Sequence, residues 1–449
     1  MADNDTHPTP PTAPASARPP LHTVLPPLIL GTATFNTQYV ADPHAMPYRD
    51  IVARALSLGV SGFDTSPYYG PSETLLGTAL DALMNPTPTA SSTGSTTPLP
   101  RSSFFLVTKA GRIVLDEFDY SPAWVRYSVL RSLRRLHTLH LDLVYMHDVE
   151  FLSPAEVLGA VRELRRLRDE DGVVHYVGIS GFPVDVLCGL AEMVLAETGE
   201  PLDAVLSYGH FTVQNRRLGL PWVEKERAGE VGDEVSSSSS SSPLARFKKA
   251  GVDVVLNASM LGMGLLTSRG IPADPPAASD DEAGKKASPL AQWHPSPFGL
   301  RVACKQLAGL VAAAGERLEA VAIRWALAEW ARLGAEAGFG VGPSRKVGAT
   351  VCGVSTISEL EETVAEWRGS LSSLGHAVDG ADEAYGPARQ AKVLSLVQKE
   401  LWPALGSWLD YVWDSPGSGF VNTRRERDRG VVPDDGVVAA YEQTKQDKQ

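Results

Sequence analysis

Residues 141–180 read LDLVYMHDVEFLSPAEVLGAVRELRRLRDEDGVVHYVGIS. Leu141–His147 is a short, nearly unbroken apolar run, the pattern of a strand covered on both faces. Pro154–Leu167 then changes period: Val157, Val161, Leu164 and Leu167 form one helical stripe. Tyr176–Ser180 returns to the short apolar run. A strand, a helix and a second strand in this order predict a parallel pair joined by a crossover helix.

The same alternation extends in both directions. Further strands are expected at Leu28–Gly31, Gly62–Thr65, Phe104–Lys109, Ala204–Tyr208, Val252–Asn257 and Thr350–Val354. Ser121–Leu139 is the clearest helix, with Ser121 as N-cap, Pro122 at the first helical position, and Val125, Val129, Leu133 and Leu136 on one face. Leu75–Leu83, Val184–Leu195 and Leu318–Trp330 are further helical segments. No Gly-x-Gly-x-x-Gly follows the first strand, which weighs against an open dinucleotide-binding sheet. Eight strands alternating with helices predict an α/β fold of the closed (β/α)8 TIM-barrel type, with its active site at the strand C-termini.

The composition fits a globular domain: 449 residues, 43% hydrophobic and 21% charged, with a formal net charge of -12. That acidity argues against nucleic acid as a partner, since phosphate binding needs clustered Lys and Arg. Cys188, Cys304 and Cys352 share no metal-ligand or redox spacing, so no metal site is expected and a reducing, cytoplasmic location fits. No apolar stretch suggests a membrane span. The Pro- and Ala-rich residues 1–26 are expected to be disordered, ahead of a barrel over 27–381. Low-complexity insertions interrupt that barrel at about 85–100, 224–242 and 274–287. Residues 382–422 carry an apolar pattern (Val393, Leu396, Val397, Leu401, Leu405 and Trp408) that predicts a helical extension packed on the barrel, and 423–449 are expected to be a disordered tail.

Three successive strand ends carry the chemistry. Asp64 ends the second strand, Lys109 the third and His147 the fourth, and Tyr69 follows in the loop after Asp64. A phenol loses its proton near pH 10, so a tyrosine acid–base catalyst at neutral pH needs help. A neighbouring ammonium is expected to lower that pKa, a carboxylate to hold the ammonium, and an imidazole to orient the substrate oxygen. No side chain carries a hydride, so a nicotinamide cofactor is implied.

The stretch Phe63-Asp64-Thr65-Ser66-Pro67-Tyr68-Tyr69-Gly70-Pro71-Ser72-Glu73, with Thr108-Lys109 and Tyr145-Met146-His147-Asp148, resembles the signatures of the aldo-keto reductase family. The resemblance covers most of residues 27–370, and it implies that Asp64, Tyr69, Lys109 and His147 are the catalytic set. His147-Asp148-Val149-Glu150-Phe151, Leu206-Ser207-Tyr208-Gly209-His210, Met263-Gly264-Leu265-Leu266-Thr267 and Gln292-Trp293-His294-Pro295 are closer to the sugar-oxidising branch of that family, the D-arabinose and L-galactose type. Cofactor contacts implied by the resemblance fall on Gly31, Thr32, Ser180, Tyr208, Ser259, Leu261, Gly262, Gly353, Ser355, Thr356 and Glu362. Ala258 stands where relatives place an aromatic ring against the nicotinamide. Gly353 and Glu359 stand where NADPH-using relatives carry cations, so NAD is expected ahead of NADP. The activity this implies is oxidation of an aldose at C1 to the aldonolactone, with a small sugar as the partner. An NADPH-dependent aldehyde or pyridoxal reductase is a second reading, and a non-catalytic nucleotide-sensing barrel subunit a third.

Overall fold

In the computed structural model, which describes residues 18–86, 97–220, 242–272, 289–380 and 382–447, eight parallel strands close on themselves. They are β1 Leu28–Gly31, β2 Gly62–Asp64, β3 Phe105–Ala110, β4 Leu141–His147, β5 Val174–Gly181, β6 Ala204–Tyr208, β7 Val254–Ala258 and β8 Val347–Gly353. Closure runs from Leu28↔Thr350 to Gly31↔Gly353, where β8 pairs back onto β1. Alternate residues fill the barrel: Phe105 and Val107, Leu143 and Tyr145, Val254 and Leu256, and Ala349 and Val351 form one buried cluster inside it. Their neighbours along each strand face the helices, as a period of two requires.

The helices between strands are α1 Tyr48–Ser57, α2 Ser72–Met84, α3 Pro122–Arg135, α4 Pro154–Asp169, α5 Val184–Thr198, α6 Pro243–Lys249, α7 Leu318–Glu336 and α8 Ile357–Ser373. The start of α3 is set as expected, with the Ser121 side chain accepting from the Trp124 amide. At α4, Ser153 and Glu156 cap each other's backbone reciprocally. Helices α1, α6 and α8, and the helix Phe298–Ala313, were not among the expected segments. In α8 several Glu residues (Glu359, Glu361, Glu362 and Glu366) are interspersed among the apolar positions, and its buried face includes Thr363, Glu366 and Ser370, which blurs the stripe.

The ends of the chain depart from expectation. Residues 1–17 lie outside the described residues, but 18–26 are ordered: Leu21–Val24 form a helical turn, and Leu21 and Leu25 are buried at the base of the barrel. Composition hid this, because two leucines suffice to plug a barrel end. In the extension, Pro387–Leu396 continues through a π-turn at Val397–Leu401 into Trp402–Leu405. Val393, Val397, Leu401, Trp402 and Leu405 are buried against the barrel. The tail corrects the expectation of disorder through residue 447. Arg424 pairs with Glu117 and Asp119, and the helix Val437–Gln446 lies on α3, with Val437 buried and Lys445 2.6 Å from Asp171. Paired charges anchor this segment, where the sequence suggested only solvation. The insertion over 274–287 lies outside the described residues, as do 87–96 and most of 224–242. Ser242 is described and caps α6. No helix among the described residues is long and apolar enough to cross a membrane.

Candidate active site

The C-terminal ends of β2, β3 and β4 bring all four expected catalytic residues together. Gly31, Asp64 and Val107 sit in register, so Asp64 enters the mouth one strand away from Lys109. The Lys109 ammonium donates to Asp64 Oδ1 at 2.5 Å and to the Thr65 carbonyl at 3.0 Å, with both side chains buried. The same ammonium lies 4.9 Å from the centre of the Tyr69 ring. The Tyr69 ring meets the His147 imidazole edge-on at 5.5 Å. Tyr68 packs nearby, its ring under the Arg112 guanidinium at 3.9 Å and its hydroxyl accepting from Gln38 at 3.0 Å.

The electrostatics differ from the expectation in one respect. Burial, followed by the charges of Asp64 and Asp148, holds the Tyr69 phenol well above its ordinary range. The lysine does not reverse this because its charge is matched by Asp64 at 2.5 Å. Burial also pushes the Asp64 carboxyl up, with Lys109 opposing. The His147 imidazole is pushed down to about 3, chiefly by burial and further by Lys109 and Arg112, so it is neutral at pH 7. Ser66 Oγ accepts from the Tyr68 amide at 3.1 Å and lies 3.0 Å from His147 Nδ1. A Ser66 hydroxyl that donates to Nδ1 leaves the proton of the neutral ring on Nε2, the tautomer that can donate to a substrate oxygen. The site therefore offers one phenol and one imidazole N–H as donors, backed by a buried ion pair.

Sequence reading assigned no role to several neighbours. Asp148, at positive φ (57°), turns its carboxylate onto Arg112. Glu150 receives hydrogen bonds from the Ser415 hydroxyl at 2.9 Å and the Phe182 amide at 3.2 Å. The extension crosses the mouth here: Trp413 stacks on Phe182 at 4.7 Å and meets His294 edge-on at 5.3 Å. Trp413 and Ser415 lie more than 200 positions from Phe182 and Glu150, and no spacing rule links them. Burial and the Asp148 charge push the Glu150 carboxyl up to about 8. Its folded pKa thus exceeds the ordinary carboxyl value of 4.5. The folded chain keeps a proton that the unfolded chain has lost, so stability falls as pH rises from about 4.5 to 8. Glu150→Gln should therefore exceed the wild type by roughly 2–4 kcal/mol at pH 9 and match it near pH 4, read from urea unfolding. An equal difference at both pH values would contradict this.

The expected cofactor residues ring the same mouth from β5 round to β1. Ser180, in register with His147, is buried with an Oγ that has no hydrogen-bond partner. Tyr208 ends β6 opposite Ala258, so its ring stands beside the small side chain. Ser259 (φ 58°), Leu261 and Gly262 (φ 55°) form the turn after β7. Gly31 and Gly353 face each other across β1 and β8, and a Cβ on Gly353 would lie 3.1 Å from Thr34. Thr356 caps α8, while Ser355 donates its amide and hydroxyl to Glu359 at 2.7 and 2.8 Å. Two residues are engaged elsewhere. Thr32 ties to Ser72 at 2.6 Å and to the Asp64 carbonyl, and Glu362 is paired with Arg317.

The aldo/keto reductase family model matches residues 27–374, which is most of the chain and the whole barrel. The chain belongs to the aldo/keto reductase family. Within this family it is similar to a D-arabinose 1-dehydrogenase of Saccharomyces cerevisiae, 37% identical over 337 residues, which cover 75% of this chain and 81% of the yeast protein. It is also similar to an L-galactose dehydrogenase of Arabidopsis thaliana, 28% identical over 358 residues, covering 79% and 86% of the two chains. A solved glycerol dehydrogenase of Gluconobacter oxydans is 20% identical with a TM-score of 0.49, covering 88% of this chain and 96% of that one. This aldo/keto reductase is an oxidoreductase, and a nicotinamide cofactor goes with the family. An orphaned hydroxyl at Ser180 and exposed glycine backbone at Gly353 fit such a group.

Proposed function

We propose that this aldo/keto reductase oxidises an aldose at C1 to the aldonolactone, using NAD. The observation that carries the reading is the convergence of Tyr69, His147 and the Lys109–Asp64 pair at one mouth of the barrel. The sugar-oxidising relatives support the choice of substrate class. The His147 Nε2–H donates to the C1 oxygen and fixes its position. Tyr69, as the phenolate, takes the hydroxyl proton as the C1–H bond breaks and the C1=O bond forms, with the Lys109–Asp64 pair holding its ring in place. The oxidised nicotinamide supplies the hydride acceptor and a positive charge that favours the phenolate. Ser180 Oγ would hold its carboxamide, and the Tyr208 ring, beside Ala258, would take the stacking position. Phe182 and Trp413 would flank the sugar. Incubation with NAD+ and a panel of free aldoses tests this, with lactone as the expected product. Reduction of aldehydes or pyridoxal without any aldose oxidation would favour the reductase reading.

NAD is preferred because the Glu359 carboxylate occupies the start of α8, where a 2′-phosphate would otherwise find donors. Arg345 cannot compensate, since it precedes β8 at the opposite end of the barrel and is paired with Asp253. Like charge in place of a guanidinium partner disfavours NADP by about 2–4 kcal/mol, or tens to hundreds of times in affinity. Glu359→Arg should accordingly raise kcat/KM for NADP+ by at least about tenfold. No change with NADP+ would remove Glu359 from this role.

A further inference from the structure

The strand N-termini, at the end of the barrel away from Tyr69, carry a second cluster of polar side chains. His140 and Asp142 are two apart at the start of β4, so they project to the same side. In the parallel register Leu141 faces Val174 and Leu143 faces Tyr176, which sets His175 of β5 beside Asp142. One ligand atom from each of the three lies within 4.8 Å of the others. Asp142 Oδ1 is 3.8 Å from His140 Nε2 and 3.7 Å from His175 Nδ1.

The carboxylate is held for this arrangement. Its Oδ2 accepts from Arg101 at 2.6 Å and from the Leu106 amide at 2.7 Å, which leaves Oδ1 turned to the two imidazoles. Arg101 also grips the His140 carbonyl at 3.1 Å and Thr138 at 2.9 Å, fixing the backbone that presents the first histidine. Hydrogen-bonded carboxylates of this kind are what orient ligands in metal sites. The cluster opens on a cavity of about 620 Å³ at the base of the barrel, bordered by Arg18, Phe104 and Tyr176, which provides an entry path.

We propose that His140, Asp142 and His175 form a binding site for a divalent cation of the zinc class, with water completing the coordination. Two imidazoles and one carboxylate suit a borderline ion better than magnesium or calcium, which favour oxygen sets. The present spacings exceed those around a bound ion, and the imidazoles are stacked at 4.4 Å with 23° between planes. His175 must therefore swing out of the stack to bring its lone pair onto the ion. Its side chain is 40% exposed, so it has room to turn. Asp142 lies on the strand that ends in His147, but the site is separate from the catalytic set, and its occupancy is read without turnover.

The test uses the full-length protein and zinc ions alone, followed by equilibrium dialysis and by the visible spectrum of the cobalt-loaded protein. The wild type should bind one ion that His175→Ala loses, with affinity down by about tenfold or more. His175→Asn provides a second variant, and His44→Ala, at an exposed histidine elsewhere, should match the wild type. Cobalt should give a tetrahedral-type spectrum in the wild type and lose it in His175→Ala. The variants should keep their metal-free dehydrogenase activity, which establishes that they fold. The proposal is overturned if folded His175→Ala binds zinc with unchanged stoichiometry and affinity, or if the wild type binds none.

Discussion

Tyr69→Phe should lower turnover by about 10²–10⁴-fold while leaving cofactor and sugar affinity close to those of the wild type. The substitution removes one hydroxyl and keeps the ring that lies edge-on to His147 and beneath Lys109. In the proposed reaction the phenol exchanges a proton with the C1 oxygen, and His147 cannot replace it. Its imidazole is held neutral with a pKa near 3, so it donates a hydrogen bond without transferring a proton at pH 7. Tyr68→Phe is the matched control, since its hydroxyl only accepts from Gln38. Steady-state kinetics of both variants decide the matter. Turnover of Tyr69→Phe within about threefold of the wild type would remove Tyr69 from catalysis.

Lys109→Met should cost about 3–5 kcal/mol of folding stability as well as most of the turnover. Lys109 is the partner of Asp64 Oδ1, and Asp64 Oδ2 is buried with no partner at all. Removing the ammonium leaves a carboxylate in the barrel mouth with nothing to balance its charge. The double variant Asp64→Asn with Lys109→Met removes both charges and should recover much of the lost stability. Its turnover should stay low, because the ion pair beside the Tyr69 ring is then gone. Urea unfolding of the single and double variants, set beside their kinetics, separates the two effects. A single variant as stable as the wild type would show that the pair contributes nothing to the fold.

The barrel was legible because each strand is an apolar run of a few residues and most intervening helices carry a clean stripe. All eight strands fall within about three residues of the expected bounds, the β5 and β8 runs being longer than their apolar cores suggest. The convergence of the four candidate catalytic residues was legible for a related reason. In a parallel barrel, polar side chains at successive strand ends must meet, so Asp64, Lys109 and His147 could be placed together before any geometry was known. What stayed hidden depends on contacts distant in sequence. Trp413 reaches Phe182, and Ser415 reaches Glu150, only because the extension folds back over the mouth. The raised pKa of Tyr69 was hidden as well. Adjacency to Lys109 suggested a lowered value, but the Asp64 charge at 2.5 Å cancels the lysine and leaves burial in control. His140, Asp142 and His175 escaped notice because a search by spacing along the chain cannot see two strands in register.

Deuterium placed at C1 of an aldose tests directly whether this chain removes hydride from that carbon. D-Arabinose or L-galactose labelled with deuterium at C1 is incubated with the enzyme and NAD+, and both products are analysed by mass spectrometry. Oxidation at C1 predicts that the label leaves the sugar, appears on the reduced nicotinamide and slows turnover at saturating substrate if the hydride step limits the rate. Deuterium retained in the oxidised sugar, with unlabelled reduced cofactor, would contradict the account.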